Sequence, residues 1–226
     1  MLNPQISLEV FAICYNEEIL LPFFIEHYKK MGAKITIYDN NSTDSSRKII
    51  LDAGCKLFAY DTNNQIRDDI YLKIKNNCWK KSDAEWVIVC DIDEFLEVNF
   101  DVSNYTIINT KGYDIVGMPP SRFGVENPLY SKHIMFRRSH FKEIGYNFGC
   151  HQCKPVGNIS GSKEIATLLH YKYISEDYMY KRKLMYQSRL SELNIKYGWG
   201  IEYQKVDMDE INKAFIDLRA KGGMVL

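Results

Sequence analysis

The sequence predicts an α/β fold: a mostly parallel sheet with helices on both faces, mixed strands in its second half and a helical C-terminal tail. Three observations predict it. Strand-like and helix-like segments alternate up to Cys90, the pattern of strand–helix–strand units. The segment Trp86 to Cys90 (WVIVC) is apolar throughout, as befits a strand covered on both sides. Beyond residue 100 the rhythm changes to short strands between loops rich in Gly and Pro, and from Ser175 it turns helical.

Each element follows from its residues. Leu8 to Cys14 (LEVFAIC) is a short, mostly apolar strand. Glu18 to Met31 carries Leu20, Phe24, Tyr28 and Met31 at helical spacing, with regular helix expected from Leu21, Pro22 in its first turn and Gly32 as its stop. Lys34 to Tyr38 is a second strand. Asp44 to Ala53 is a helix capped by Ser42 or Thr43 and ended by Gly54. Lys56 to Tyr60 is a third strand, and Arg67 to Lys81 a third helix with Ile70, Ile74, Cys78 and Trp79 on one face. Trp86 to Cys90 is the fourth strand. Asp114 to Met118, Ile134 to Arg137 and Lys163 to Leu169 read as later strands. In the tail, Tyr186, Leu190, Leu193 and Tyr197 mark one apolar stripe, and Ile211, Phe215 and Leu218 another.

Composition limits what the chain can do. It has 226 residues, 46% hydrophobic and 26% charged, with 16 Tyr and 11 Phe. That supports a sizeable core and excludes wholesale disorder. The length fits a single domain, residues 1–226. Lys+Arg and Asp+Glu both total 29, so a counterion-driven grip on nucleic acid is not expected. No apolar run is long enough to span a membrane. Met1 to Val10 lacks a basic region and a cleavage site, and four of the six cysteines sit singly in apolar segments. A reduced, cytoplasmic setting is therefore the expectation. Cys150-His-Gln-Cys153 has ligand-like spacing but no second close pair, so ordinary thiols are expected there.

Ligands of open α/β sheets bind beyond the carboxyl ends of the strands. Four loops lie there: Tyr15-Asn16-Glu17, Asp39 to Asp44, Asp61 to Arg67, and Asp91 to Glu94, all rich in Asp, Asn and Glu. Asp91-Ile92-Asp93-Glu94 follows the apolar WVIVC strand directly. In extended chain residues i and i+2 point the same way, so Asp91 and Asp93 can aim two carboxylates at one point. Like charges so close repel unless a cation or proton sits between them. A hard divalent ion would resolve this and could hold a diphosphate. Solvated acids at a strand end, with a helix cap, are the plainer alternative.

The ordered strings CYNEE, YDNNSTDSS and CDIDEF, with a late His170-Tyr171, resemble the family-2-type glycosyltransferases of the GT-A fold, in their short branch with D-x-D-E-F and H-Y motifs, over roughly residues 8 to 172. The resemblance implies a metal-dependent transfer of a hexosyl or deoxyhexosyl group from a nucleoside-diphosphate sugar, UDP-linked by expectation, to a hydroxyl of a glycan or lipid-linked acceptor, with inversion. It implies a nucleotide-binding half (1–99), an acceptor-side half (100–174) and a helical tail (175–226). Donor contacts fall on Tyr15, Asn16, Glu17, Asp39, Asn40, Asp91 and Ile92, with Arg67, Lys73 and Lys172 as candidate phosphate charges. Asp91 and Asp93 match the D-x-D that holds Mn²⁺ or Mg²⁺. His170 matches a further metal or phosphate contact, with His151 as its rival. Imidazole among oxygen ligands suits Mn²⁺ better. Catalytic work falls on Asp93 at the metal, and Glu94, Asp114 and Glu126 are the candidates for the general base. The E-D dipeptide that marks the base in larger relatives is missing; Glu176-Asp177 comes after the H-Y element, at an expected helix start.

Other classes fare worse. Gly157 to Lys163 has a Walker flavour, but its glycines are four apart and no strand–loop–helix surrounds it. Neither G-x-G-x-x-G nor H-E-x-x-H occurs. A nucleotidyltransferase using a nucleoside triphosphate, or a non-catalytic sugar-nucleotide-binding module, remains as the alternative. Lys181-Arg-Lys183 could touch an anionic membrane but reads more simply as a solvated helix face; at most peripheral membrane contact is expected.

Overall fold

The computed structural model describes residues 6–226. The N-terminal half alternates as the sequence suggests. It runs β1 (Leu8–Cys14), α1 (Leu21–Lys30), β2 (Ala33–Asp39), α2 (Ser46–Asp52), β3 (Lys56–Ala59), α3 (Asp68–Asn77) and β4 (Trp86–Asp91). There follow β5 (Glu94–Glu97), β6 (Ile107–Val116), β7 (Phe123–Glu126), β8 (Met135–Arg137), β9 (Phe141–Glu143), β10 (Val156–Gly157) and the long β11 (Gly161–Tyr173). The tail is α4 (Glu176–Arg189), α5 (Glu192–Tyr197), α6 (Met208–Lys221) and β12 (Gly223–Met224).

One ten-stranded sheet dominates, with the path β12-β7-β6-β8-β4-β1-β2-β3. β4, β1, β2 and β3 are mutually parallel. β11 runs parallel to β6 and antiparallel to β5, and β7 and β8 enter antiparallel. This is the expected α/β sheet, parallel first and mixed later.

The central strand β4 shows why Trp86 to Cys90 is apolar throughout. Side chains alternate across a strand. In β4, Trp86, Ile88 and Cys90 enter the core shared with α1, while Val87 and Val89 enter a second core with Phe11 and Trp79. Both faces are dry, so no position tolerates a polar side chain. Gly32 (φ +79°) and Gly54 (φ +70°) end α1 and α2 in the left-handed conformation that glycine adopts without steric cost.

Several expectations shift. The helix expected over Arg67 to Lys81 stays α-helical to Asn77 and tightens to a 3₁₀ turn over Cys78–Lys81. Its one fully buried residue is Lys75, beside the half-buried Ile70, Ile74 and Cys78 rather than in their stripe. The stripe Tyr186-Leu190-Leu193-Tyr197 does not belong to one helix. The chain breaks at Leu190, where Ser191 starts α5, and the residues buried there are Arg189, Ser191 and Asn194, with Tyr197 exposed. The second stripe holds, with Ile211 and Phe215 buried against Tyr173. Gly157 to Lys163 is a strand-to-strand connection, so no phosphate-binding loop forms there. Among the described residues no helix is long and apolar enough to cross a membrane.

Candidate active site

A cavity of about 460 Å³ opens at the carboxyl ends of β1 and β4. Its floor is the Asp91-to-Glu94 segment, its walls come from the first loop, α3 and the His170 region of β11, and its roof is the tail.

Asp91 ends β4 and Asp93 sits in the tight turn before β5. The two carboxylates therefore converge through a turn rather than through an extended strand. Four cations hold this acidic floor. Lys75 Nζ lies 2.6 Å from Asp91 Oδ1. Lys132 Nζ lies 2.5 Å from Glu94 Oε1, with side chains 3% and 1% exposed. Arg182 bridges two loops, 3.0 Å from Asp93 Oδ2 and 2.8 Å from Glu17 Oε1. His170 stands between carboxylates, with Nδ1 2.6 Å from Asp114 Oδ1 and Nε2 3.5 Å from Asp93 Oδ2. Tyr130 stacks on its ring at 3.8 Å.

The electrostatics follow from these pairs. Burial opposes charge on both Asp93 and Asp91, yet Arg182 and His170 hold the first, and Lys75 the second, below the usual carboxylate range. Burial likewise opposes the His170 cation, but Asp93 and Asp114 push it up to about 9. Glu17, desolvated and only partly compensated by Arg182, is pushed up to about 7. Burial pulls His151 below its ordinary value.

The structure gathers Tyr15, Glu17, Asp91, Ile92, Asp93, Glu94, His151, His170 and Lys172 around the cavity. It leaves others outside. Asn16 clasps two loops: its side-chain oxygen accepts from the Thr43 N–H at 2.8 Å, and its backbone N–H donates to the Ser42 hydroxyl oxygen at 2.9 Å. Asn40 is buried and donates to Thr62 at 2.9 Å. Asp39 is fully buried; one oxygen accepts from the Ser42 N–H at 3.1 Å, and the other has no partner among the described residues. Arg67 spends its fork on Asp69 at 2.7 and 2.8 Å. Lys73 lies on the opposite flank of α3, in a separate groove. Glu126 pairs with Lys111 at 2.7 Å at the exposed end of β7 and does not line the cavity. Glu94 is spent too: one oxygen takes Lys132 and the other accepts from the Asp91 N–H at 3.1 Å.

Sequence reasoning missed Lys75, Lys132 and Arg189, and read Arg182 as solvated. None of the four carried a local signal; that Tyr71 and Lys75, one turn apart, both line the cavity is visible only in the structure.

The fit of a divalent cation can be judged from the donors. Among the described residues no group of three or more His, Cys, Asp or Glu side chains is preassembled for a metal. Mg²⁺-type sites, however, use one or two carboxylates and complete the shell with substrate phosphate and water. Asp91 and Asp93 each keep one oxygen outside the pairs described above, and Asp91 retains 40% side-chain exposure. Asp114 orients His170 through Nδ1, the arrangement that turns Nε2 toward a metal in carboxylate–histidine pairs. These donors fit a cation completed by its substrate.

Residues 9–169, that is 161 of 226, match the family model described as Glycosyl transferase family 2. No curated protein matches the chain. Among solved structures, TarS of S. aureus is similar at 14% identity and TM-score 0.44, over 80% of this chain and 39% of its own. The mannosyltransferase PcManGT from Pyrobaculum calidifontis, in complex with GDP-Man and Mn²⁺, is similar at 9% identity and TM-score 0.44, over 83% and 63%. Glucosyl-3-phosphoglycerate synthase from Mycobacterium tuberculosis, in complex with Mn²⁺, UDP and glucosyl-3-phosphoglycerate, is similar at 11% identity and TM-score 0.34, over 48% and 44%. The chain thus spans less than two thirds of each of these proteins.

Proposed function

The chain belongs to glycosyl transferase family 2, and from that premise we propose that it moves a sugar, a hexose or deoxyhexose, from a nucleoside-diphosphate donor to an acceptor hydroxyl with inversion. The observation that carries this reading is the convergence of Asp91, Asp93, His170 and Arg182 on one cavity at the carboxyl edge of the parallel strands. In this reading residues 1–99 bind the nucleotide, 100–174 face the acceptor and 175–226 roof the site. The acceptor class is a glycan or a lipid-linked sugar.

Asp91, Asp93 and, on release of its proton, His170 Nε2 would hold Mn²⁺ or Mg²⁺. Bound there with the donor, the cation supplies Lewis-acid neutralisation of charge on the leaving diphosphate. The remaining roles belong to the chain. Arg182, fixed by Glu17, orients Asp93 and adds positive charge beside the diphosphate. Lys75 and Lys132 set positive charge against Asp91 and Glu94 at the floor of the site. The base assigned here is His151. Its Nδ1 lies 3.0 Å from the Leu129 carbonyl, so that nitrogen carries the proton and Nε2 keeps a lone pair. Burial keeps the ring neutral, which suits it to take the acceptor hydroxyl proton as the oxygen attacks the anomeric carbon.

Titrating the protein with UDP by calorimetry, with and without Mn²⁺, and assaying donor hydrolysis tests the reading. Metal-dependent UDP binding, with turnover lost in Asp93→Asn, is expected. Full Mn²⁺-dependent hydrolysis and transfer in Asp93→Asn would overturn the site. Turnover of nucleoside triphosphates alone would overturn the donor class.

A further inference from the structure

Arg189 is a charge without a counter-charge. Its side chain is 3% exposed and takes part in no ion pair among the described residues. Nε donates to Asn64, to its carbonyl at 3.2 Å and its side-chain oxygen at 3.1 Å. The guanidinium carbon lies 3.1 Å from the centre of the Tyr15 ring, and Tyr15 in turn donates its hydroxyl to Asn64 at 3.0 Å. Nη2 is buried and has no hydrogen-bond partner among the described residues. A desolvated guanidinium with an idle donor is costly, and this one lines the cavity. A purely structural cation would be expected to have a carboxylate, as Arg182 does with Glu17 and Asp93.

Its place along α4 says what it meets. Arg182 and Arg189 are seven residues apart in one helix, two turns on the same face and about 10 Å along the axis. Arg182 stands at the Asp93 end, where the proposed reading puts the diphosphate. Arg189 then stands at the nucleoside end, against Tyr15. Guanidinium donors read carbonyl oxygens, as they read guanine O6, and meet a clashing amino donor on adenine.

Resting on the donor reading above, we propose that Arg189 is the base-reading residue of the donor site, completing its hydrogen bonds on a carbonyl oxygen of uracil. The residue lies outside the family-matched segment, which ends at residue 169. The tail therefore supplies specificity as well as a roof.

Calorimetry of wild type, Arg189→Lys and Arg189→Met with UDP, ADP and inorganic pyrophosphate, each with Mn²⁺, tests this. Wild type should prefer UDP to ADP by about tenfold or more, and Arg189→Met should lose about 10–100-fold for UDP while pyrophosphate affinity stays within about twofold. The UDP-over-ADP preference should vanish with it. Arg189→Lys keeps the charge but not the fork; it should fold like wild type and lose most of the preference, which covers the case of a poorly folded Met variant. Unchanged UDP binding in both variants overturns the role of Arg189. Equal loss of UDP and pyrophosphate overturns the base assignment in favour of a phosphate contact. A wild-type chain that binds none of the three overturns the donor reading itself, and this inference with it.

Discussion

Replacing Lys132 with Met isolates the strongest electrostatic commitment of the site. Lys132 and Glu94 lie 2.5 Å apart with side chains 3% and 1% exposed, so water screens the pair little. Burial alone would lower the lysine's proton affinity, but Glu94 and Asp91 raise it; it is a cation in place. Met keeps the length and apolar stem while deleting the charge, and so strands Glu94 in the core. Removing one partner of a buried pair costs about 3–5 kcal/mol. At about 2–4 °C per kcal/mol for a chain of this size, Tm falls by about 6–20 °C. Lys30→Ala is the control. Lys30 and Glu26 are 2.6 Å apart, almost the same distance, but 73% and 61% exposed, so solvent screens the pair and its loss should hardly move the melt. Calorimetric melts of the two variants should therefore differ severalfold. The double variant Glu94→Gln with Lys132→Met should recover most of the loss, since Gln still accepts from the Asp91 N–H and neither charge is left alone. A Lys132→Met protein within about 1 kcal/mol of wild type would refute the claim that the acidic floor needs buried counter-charges.

Three further outcomes are expected. If His151 is the base, its pKa, lowered by burial, sets the acid limb of kcat/KM below pH 6.5, where the imidazole protonates; that limb should disappear in His151→Gln, with rates down about 10²–10⁴-fold, and an unchanged profile removes the assignment. Burial raises all six free thiols, Cys153 to about 11 and Cys78 to about 12; a disulfide reagent at pH 7.5 should react slowly with native protein and with all six in denaturant, and two or more fast native thiols would contradict this. A Cβ at Gly112 would meet the Tyr130 backbone carbon at 2.4 Å; Gly112→Ala should cost about 1–3 kcal/mol in a urea melt and weaken UDP binding by displacing the ring that stacks on His170, and wild-type stability with wild-type binding would show that the contact yields freely.

Much of the fold is legible because its signals are local. The strand at Leu8–Cys14 is bounded by the same residues in sequence and structure, since a strand covered on both faces is apolar at nearly every position, Glu9 being the exception. Glycine stops at 32 and 54 ended helices where left-handed backbone was needed. Asp91 and Asp93 were legible as a pair at a strand end, although they meet through a turn. Asn16 and Asn40 were not legible as scaffold, because a loop amide bonded to its neighbours and one facing a ligand look alike in sequence.

The amino-acid sequence alone determined the α/β order, the carboxyl edge where chemistry would sit, and the acidic pair there. Tertiary structure alone decided which cations answer those acids. Lys75, Lys132 and Arg182 come from three separate stretches of chain, and nothing local distinguishes them from the solvated basic residues around them. Charge complementarity in a buried site depends on distance through space, which sequence spacing does not encode.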